Sequence, residues 1–476
     1  MSDNAFREAA DAVYAELLTR VGESKPERRL DATRRAAEVL GDPQKAYPVI
    51  HLTGTNGKTS TSRIAESILR AYGLRTGLLT SPHLERFNER ILIDGEPIAD
   101  EALARNWDEI RPYIEIVDAE LVAAGRARLT FFEVVTVLGF ACFADAPVDV
   151  AVIEVGMGGE WDSTNIADGT VAVITPVSLD HVGVLGDTVA EIARTKSGII
   201  KEGATVVTAV QDPSVMREIE AKAAAVGASV VAQGRDFDVT ATSVAVGGQL
   251  IEVRGTAAAY DGLFLPLYGD HQAQNAAVAI AAVEAFIGGG AQPLTGELLE
   301  DGVAGATSPG RLQLIGTEPT VIVDAAHNPA GAQTLHAALG TYFDFDEVAF
   351  VLGILKDKDA HGIVDQLAPD AALIIATQSH SDRARSSEEL AEDVYEWTHE
   401  RVDEVEDLGD AIEAARAWAL EGEKRAVVVT GSITLVGEAM TLAADRGWKA
   451  PRLVDDLEDD LEDGGAASGY DTGDDE

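Results

Sequence analysis

Short apolar runs recur along the chain, and most are followed by a longer segment in which apolar residues return every three or four positions. Val49, Ile50 and Leu52 make one such run, and Ile64, Ile68 and Leu69 face a core from the helix after it. Residues 1 to about 46 read as helical, with 26–43 as an amphipathic helix ending at Gly41. Helices are predicted around 102–124 and 131–143, and the runs opening 148–165 and 170–186 read as buried strands. A helix carrying Lys196 and a strand at 205–210 follow. Val-rich alternation through 234–268 predicts a small antiparallel excursion, and the helix after it puts His271 and Asn275 one turn apart. VAGATSPGR, at 303–311, reads as a linker. Beyond it, apolar runs within 320–329, 347–354, 371–378 and 426–432 precede helical sequence and predict a second, smaller parallel domain.

One turn in this pattern carries chemistry. After 49–52 comes Gly54-Thr55-Asn56-Gly57-Lys58-Thr59, and then a helix. Strand, glycine-rich turn and helix make a phosphate-binding loop, in which backbone N–H groups and the helix N-terminus attract anions. Lys58 can reach β- and γ-phosphates and the Thr59 hydroxyl can hold Mg²⁺. The loop is the short form G-x-x-G-K-[ST]; the longer pattern wants a glycine where Leu52 stands. Ser81, Glu154 and His181 each end or follow a predicted strand of the same sheet and offer hydroxyl, carboxylate and imidazole to a divalent metal. The same three residues also suit an N-capping serine, a solvated glutamate and a turn histidine. Asp324-Ala325-Ala326-His327-Asn328-Pro329 ends the first strand of the second domain, either as a helix N-cap or as an acid–histidine pair facing a cleft. His51 reads as a core strand residue, and His336 and His361 as helix or loop positions.

Composition narrows the partners. The chain has 476 residues, 46% of them hydrophobic, with 37 Lys+Arg against 81 Asp+Glu, a formal charge of −44. Such a surface disfavours nucleic acids and anionic membranes, so local cations must draw in any anionic substrate. Lys58, Arg86, Arg90, Lys196, Lys201, Arg311, Lys356 and Lys358 lie in or near the motifs. No apolar run has spanning length, and the acidic, amphipathic first residues show no secretion signal. The single Cys142 sits in an apolar segment and reads as core. The expectation is a cytoplasmic monomer. The tail from 453 to 476 is too acidic to bury a face and is expected to be disordered.

The ordered set TGTNGKTS, TSPHLERFNERI, VIEVGMGGEWDSTN, ITPVSLDHVGVLG, KSGIIK, HQAQNA, SPGRL, DAAHNP and VVTGSITLVGEA resembles folylpolyglutamate synthase / dihydrofolate synthase, a branch of the Mur ligase superfamily. The resemblance covers roughly 30–440. It implies an α/β fold: a P-loop-type, mostly parallel domain like the Mur ligase central domain over 1–306, and a smaller Rossmann-like domain over 307–452. It implies an ADP-forming ligase that joins L-glutamate to folates, with dihydropteroate as a further acceptor, through an acyl phosphate. Carried over by position, Gly54, Thr55, Asn56, Gly57, Lys58, Thr59, Asn275, Arg311 and Asp324 would hold ATP. Thr59, Ser81, Glu154 and His181 would hold one or two Mg²⁺, with K⁺ as a further cofactor. Lys58, Lys196, Asp324 and His327 would be catalytic, Lys196 as a carbamate. Pro82, His83, Phe87, Asn88 and Arg90 would face the folate or pterin. The family often has glycine at Ala325. The alternatives are another Mur-superfamily amide ligase and a P-loop binding or switch ATPase. The former carries a full domain ahead of its P-loop, and the latter has no need of DAAHNP.

Overall fold

A computed structural model describes residues 3–23 and 27–448. The expected tail at 453–476 lies outside the described residues. Three sheets are present among those described.

The first sheet has eight strands in the order β4-β3-β2-β5-β1-β6-β7-β8. They are β1 (Val49–Thr53), β2 (Thr76–Leu79), β3 (Ile91–Ile93), β4 (Glu96–Pro97), β5 (Val150–Glu154), β6 (Gly169–Ile174), β7 (Thr205–Thr208) and β8 (Ser229–Ala232). From β2 to β8 all neighbours are parallel, and β3 and β4 add an antiparallel hairpin at one edge. Both faces are covered, which is why these strands read as unbroken apolar runs. Ile50, Leu52, Leu78, Val152 and Val173 pack beneath the helices Lys58–Ala71, Asp270–Gly288 and Gly296–Ala304. Val49, Leu79, Ala151 and Ile153 face the helices Asp3–Leu17, Asp31–Val39, Asp100–Ala123 and Phe131–Asp145.

The Val-rich alternation of 234–268 forms the antiparallel sheet β9 (Asp238–Ala245), β10 (Gly248–Arg254) and β11 (Ala259–Leu265). The third sheet has the order β12-β13-β17-β14-β15-β16. Its strands are β12 (Gln313–Thr317), β13 (Thr320–Asp324), β14 (Glu347–Leu352), β15 (Ala371–Ala376), β16 (Val402–Glu404) and β17 (Arg425–Thr430). All its pairings are parallel except that of β12, which runs antiparallel to β13. The four expected strands are β13, β14, β15 and β17. The edge strands β12 and β16 were not predicted, because each is short, polar and covered less completely.

Two boundaries differ from expectation. The helix over 26–43 begins only at Asp31, because Arg29 turns aside to bond Glu133 at 2.8 and 2.7 Å. The connection between the two large sheets begins at Gly305, because Val303 and Leu299 are buried in the first core by the helix Gly296–Ala304.

In a parallel sheet, loops at the carboxyl ends of the strands gather ligands. Here β1 delivers Gly54–Thr59, β2 delivers Thr80, β5 delivers Glu154 and β6 leads to Asp180. In the third sheet, the adjacent strands β13, β17 and β14 lead to Asp324–Asn328, Ser432 and Lys358. These two sets meet.

Candidate active site

The glycine-rich turn is shaped by what crowds it. A Cβ on Gly54 would stand 1.8 Å from Thr175 Oγ1, at the end of β6, and one on Gly57 would stand 2.5 Å from Asn275 Oδ1. Gly57 also has φ 85°, the left-handed region that favours glycine, and it caps the helix Lys58–Ala71. Leu52, where a longer loop would have glycine, is inside β1 and wholly buried, so the turn starts one step later. Asn275 is buried on the first turns of the helix Asp270–Gly288, against the loop.

Two lysine ammonium groups converge on one carbonyl. Lys58 Nζ donates to Gly54 O at 3.1 Å and Thr55 O at 3.2 Å, and Lys196 Nζ donates to Gly54 O at 2.7 Å. Burial lowers the pKa of Lys58. Burial, with Lys58 nearby, brings Lys196 down from 10.5 to about 7. Lys196 ends the helix Val189–Lys196 and is 4% exposed.

Glu154, buried at the end of β5, accepts from Thr59 Oγ1 at 3.0 and 3.2 Å and from Thr80 Oγ1. The expected hydroxyl there was Ser81. Thr80, the first residue after β2, supplies it instead, and no hydrogen bond joins Ser81 to Glu154. His181 is not joined to Glu154 by any hydrogen bond; its Nε2 lies 3.8 Å from Asp180 Oδ2. Burial lowers its pKa to about 4. Among the described residues no group of three or more His, Cys, Asp or Glu side chains gathers as a metal site. Thr59 and Glu154 together still suit Mg²⁺, which takes few protein ligands and completes its shell with phosphate oxygens and water.

Asp180 is the meeting point of the two halves. Lys358, beyond β14, bonds its Oδ1 at 2.9 Å, and His327 Nε2 lies 3.8 Å from its Oδ2. Burial works to raise the Asp180 carboxyl, but Lys358, His181 and His327 outweigh it and hold it well below the usual carboxylate range. A second link is a reciprocal amide pair: Asn328 Nδ2 donates to Asn56 Oδ1 at 3.0 Å and Asn56 Nδ2 to Asn328 Oδ1 at 3.3 Å. Asn328 also caps the helix Pro329–Tyr342, accepting from Gly331 N at 2.8 Å. The cap in DAAHNP is thus Asn328. Asp324 instead accepts from Leu312 N and Ala326 N, each at 2.8 Å, tying the connection to β13. Burial raises its pKa and Arg311 opposes this. His327 Nδ1 lies 2.9 Å from Ala325 O. A carbonyl can only accept, so Nδ1 carries the proton and Nε2 offers a lone pair. Burial brings this ring down to about 4.

The loop after β2 is built differently. Phe87, Asn88 and Arg90, expected to face substrate, are 4%, 5% and 3% exposed. Asn88 Nδ2 donates to Ile98 O at 2.7 Å and Asp100 Oδ1 at 2.9 Å. Arg90 donates to His83 Nδ1 at 2.8 Å and pairs with Glu23. Phe87 stacks on Tyr14 of the first helix at 5.2 Å. These three side chains hold the loop in shape. Pro82 is exposed and His83 half-buried; burial, then Arg90, lowers the His83 pKa to about 3. His51 is buried in β1 with Nε2 2.9 Å from Thr164 Oγ1, as read from the sequence, and His336 and His361 lie on helices. Cys142 is buried, as expected.

The comparisons with known proteins follow this geometry. The Mur ligase middle domain matches residues 52–283, and the Mur ligase glutamate ligase domain matches 310–433. The chain is 43% identical to a dihydrofolate synthase/folylpolyglutamate synthase of Mycobacterium tuberculosis, over 88% of this chain and 91% of that one. The chain belongs to the folylpolyglutamate synthase / dihydrofolate synthase family of Mur ligases. It is 36% identical to a folylpolyglutamate synthase of Lacticaseibacillus casei, over 89% of this chain and 95% of that one. The M. tuberculosis folylpolyglutamate synthase complexed with ADP superposes with TM-score 0.88 at 40% identity, over 94% of this chain and all of that one. An FPGS–AMPPCP–folate complex superposes with TM-score 0.79 at 32% identity, over 92% and 99%. The protein is therefore an ADP-forming ligase of a two-domain α/β fold, and the switch-ATPase alternative falls away. No helix among the described residues is long and apolar enough to cross a membrane.

The resemblance pointed to the cradle, but three of its members were passed over. Thr80 stands beside Ser81, Lys358 is one of the cations near the motifs, and Asp180 stands next to His181. A strand-end position was the available signal for each.

Proposed function

We propose that the protein joins L-glutamate to the terminal carboxylate of a folate, and by the same chemistry to dihydropteroate, with ATP as the phosphoryl donor. The observation that supports this most is the approach of Asp324–Asn328 and Lys358 to the P-loop, held by the pairs Asp180–Lys358 and Asn56–Asn328. A nucleotide on the loop would lie between two α/β halves, which we divide near 306/307.

The acceptor carboxylate attacks the γ-phosphorus. A carboxyl O–P bond forms, the bond to the β–γ bridging oxygen breaks, and ADP leaves. The glutamate amine then attacks the acyl carbon; the C–N bond forms, the C–O bond to phosphate breaks, and the amine loses a proton. Lys58, freed from the loop carbonyls, would neutralise charge on the transferred group. Arg311 would oppose it from the connecting segment. The Nε2 lone pair of His327 is the group at the cleft that can take the amine proton. Asp324 and Asn275 would shape the nucleotide side, with Asn275 set against Gly57. Mg²⁺ would be held by Thr59 and Glu154 with Thr80 beside them, and would supply charge neutralisation of the phosphates. His181 and Ser81 would reach it only by turning from their present positions.

Lys196 suits carbamylation. Its amine is buried and, with a pKa of about 7, is partly neutral at neutral pH, the form that adds CO₂. The carbamate keeps one N–H, so the bond to Gly54 O can survive while the site gains an anion. Pro82 and His83 remain as the acceptor-side contacts of their loop. The deciding assay is glutamate-dependent ADP release with tetrahydrofolate and dihydropteroate as separate acids. Release with neither acid overturns the proposal.

A further inference from the structure

The helix Lys58–Ala71 carries Arg63 a little over one turn beyond Lys58. Its Nε is buried and has no hydrogen-bond partner, and among the described residues no ion pair holds its guanidinium. This is unusual in a chain with 81 acidic and 37 basic residues. Only Nε is cut off from water, so the two Nη groups remain open to a group entering beside them.

Arg63 borders a narrow cleft of about 20 Å³ between the two halves, with Thr59, Thr80, Glu89, Arg311 and Ile433 also on its walls. Arg311 is likewise without an ion pair, with one bond of 3.3 Å to Gly310 O. The two guanidinium groups repel each other electrostatically, and burial lowers the pKa of Arg63. The carboxylates of Glu154, Glu89 and Glu66 lie near enough to favour the charged form of Arg63, more than Arg311 disfavours it, but none of them forms an ion pair with it. The two carboxylate oxygens of Glu89 accept from the N–H groups of Leu84, Glu85 and Arg86 at 2.7, 3.0 and 2.6 Å. The cleft thus gathers, beside the P-loop threonine, two arginines that form no ion pair among the described residues. Its walls include both the loop after β2 and the segment joining the halves, so it widens if the halves part.

We propose that Arg63, with Arg311 opposite, receives the carboxylate of the acceptor acid and aims it at the γ-phosphate. This rests on the function proposed above and names a residue outside the set carried over from the family. Three features favour the acceptor's carboxylate as the occupant. The site adjoins Thr59, so the bound group lies at the phosphoryl end of the nucleotide loop. It adjoins Thr80 and the acceptor-side loop. The planar fork of an arginine matches a carboxylate in a bidentate fashion. The same pair would hold the anionic end of the acyl phosphate until the amine attacks.

The test uses the full chain with Arg63→Gln and Arg63→Lys. Initial rates are measured against ATP, glutamate and the acceptor in turn, together with inhibition by the acceptor's terminal carboxamide. For Arg63→Gln the acceptor KM is expected to rise about 10- to 100-fold, the loss of one or two charge-assisted hydrogen bonds. The KM values for ATP and glutamate should stay near those of the parent. The preference for acid over carboxamide should collapse, and Arg63→Lys should restore part of it. An unchanged acceptor KM, or a rise in the glutamate KM instead, overturns the proposal. If Arg63→Gln fails to fold, Arg63→Lys decides, because it keeps the charge but loses the fork. A parent protein inactive with every acid sinks the function itself. An active parent with an indifferent Arg63 sinks only this inference.

Discussion

The loops after β1 and after β2 leave the same sheet on either side of β5, and they differ in what their side chains have left over. In the first, the half-buried Lys58 donates only to main-chain carbonyls, as does the buried Lys196 that reaches the loop from the helix Val189–Lys196, with no carboxylate bound to either. In the second, the charges are satisfied internally: Glu89 by three N–H groups, Arg86 by Asp100 at 2.9 Å, and Arg90 by Glu23 and His83. Buried polar groups normally have partners. A loop whose cations have none stronger than a carbonyl stores binding capacity for an anion. A loop whose groups are saturated stores shape. Motif residues in the first are therefore expected to govern catalysis, and those in the second to govern stability.

The largest effect expected from this contrast is at Lys58. Lys58→Ala should lower kcat by at least about 10³-fold while leaving the thermal unfolding midpoint near that of the parent. Single-turnover ADP release measured beside a melting curve checks both halves of the statement. Near-parental turnover would remove the P-loop from the mechanism.

Lys196 sharpens the contrast further. Lys196→Ala should lose about 10²-fold or more in turnover and regain part of it with added acetate, whereas Lys196→Arg should gain nothing. The pKa of this amine is depressed from 10.5 to about 7, so its neutral form dominates above that value and disappears below it. A ¹³C signal from labelled bicarbonate bound to the protein should thus be present at alkaline pH and fade as pH falls through about 7. Full activity in Lys196→Arg would exclude the carbamate.

Between the two loops stands the pair Asp180–Lys358, with side chains 11% and 7% exposed. Lys358→Met leaves a buried carboxylate without its cation and should cost about 3–5 kcal/mol in urea unfolding, much of it recovered when Asp180→Asn is added. The folded Asp180 carboxyl is held below its ordinary pKa. Its contribution is therefore complete above the ordinary value near ~4 and is lost only as pH falls through the lower folded value. Without Lys358, burial raises the Asp180 carboxyl and lets it protonate, so the destabilisation measured for Lys358→Met should be smaller at pH 5.5 than at pH 7.

The smallest effect belongs to the saturated loop. Asn88→Ala leaves Ile98 O without its side-chain donor and should cost about 1–3 kcal/mol of stability, with the acceptor KM near that of the parent. A rise in acceptor KM with unchanged stability would return Asn88 to the substrate side and erase the distinction between the loops.

The sequence by itself determined the elements and the order of the chemistry. Unbroken apolar runs such as 49–53 and 150–154 require cover on both faces, and Gly54 and Gly57 before Lys58 make a turn that carries phosphate chemistry wherever it is placed. His51 and Cys142 could be assigned to the core from their apolar neighbours. Only the tertiary structure decided which side chains share a contact. Thr80 and Ser81 are adjacent in sequence and equally hydroxylic, but only Thr80 bonds Glu154. Asp324 and Asn328 both suit a helix cap; the turn after β13 gave that task to Asn328 and spent Asp324 on Leu312. Asp180 and Lys358 lie in loops that follow strands of different sheets, and no local pattern pairs residues separated by so much chain. The unpaired guanidinium of Arg63 is legible only in three dimensions, because a charge without a partner is a fact about its surroundings.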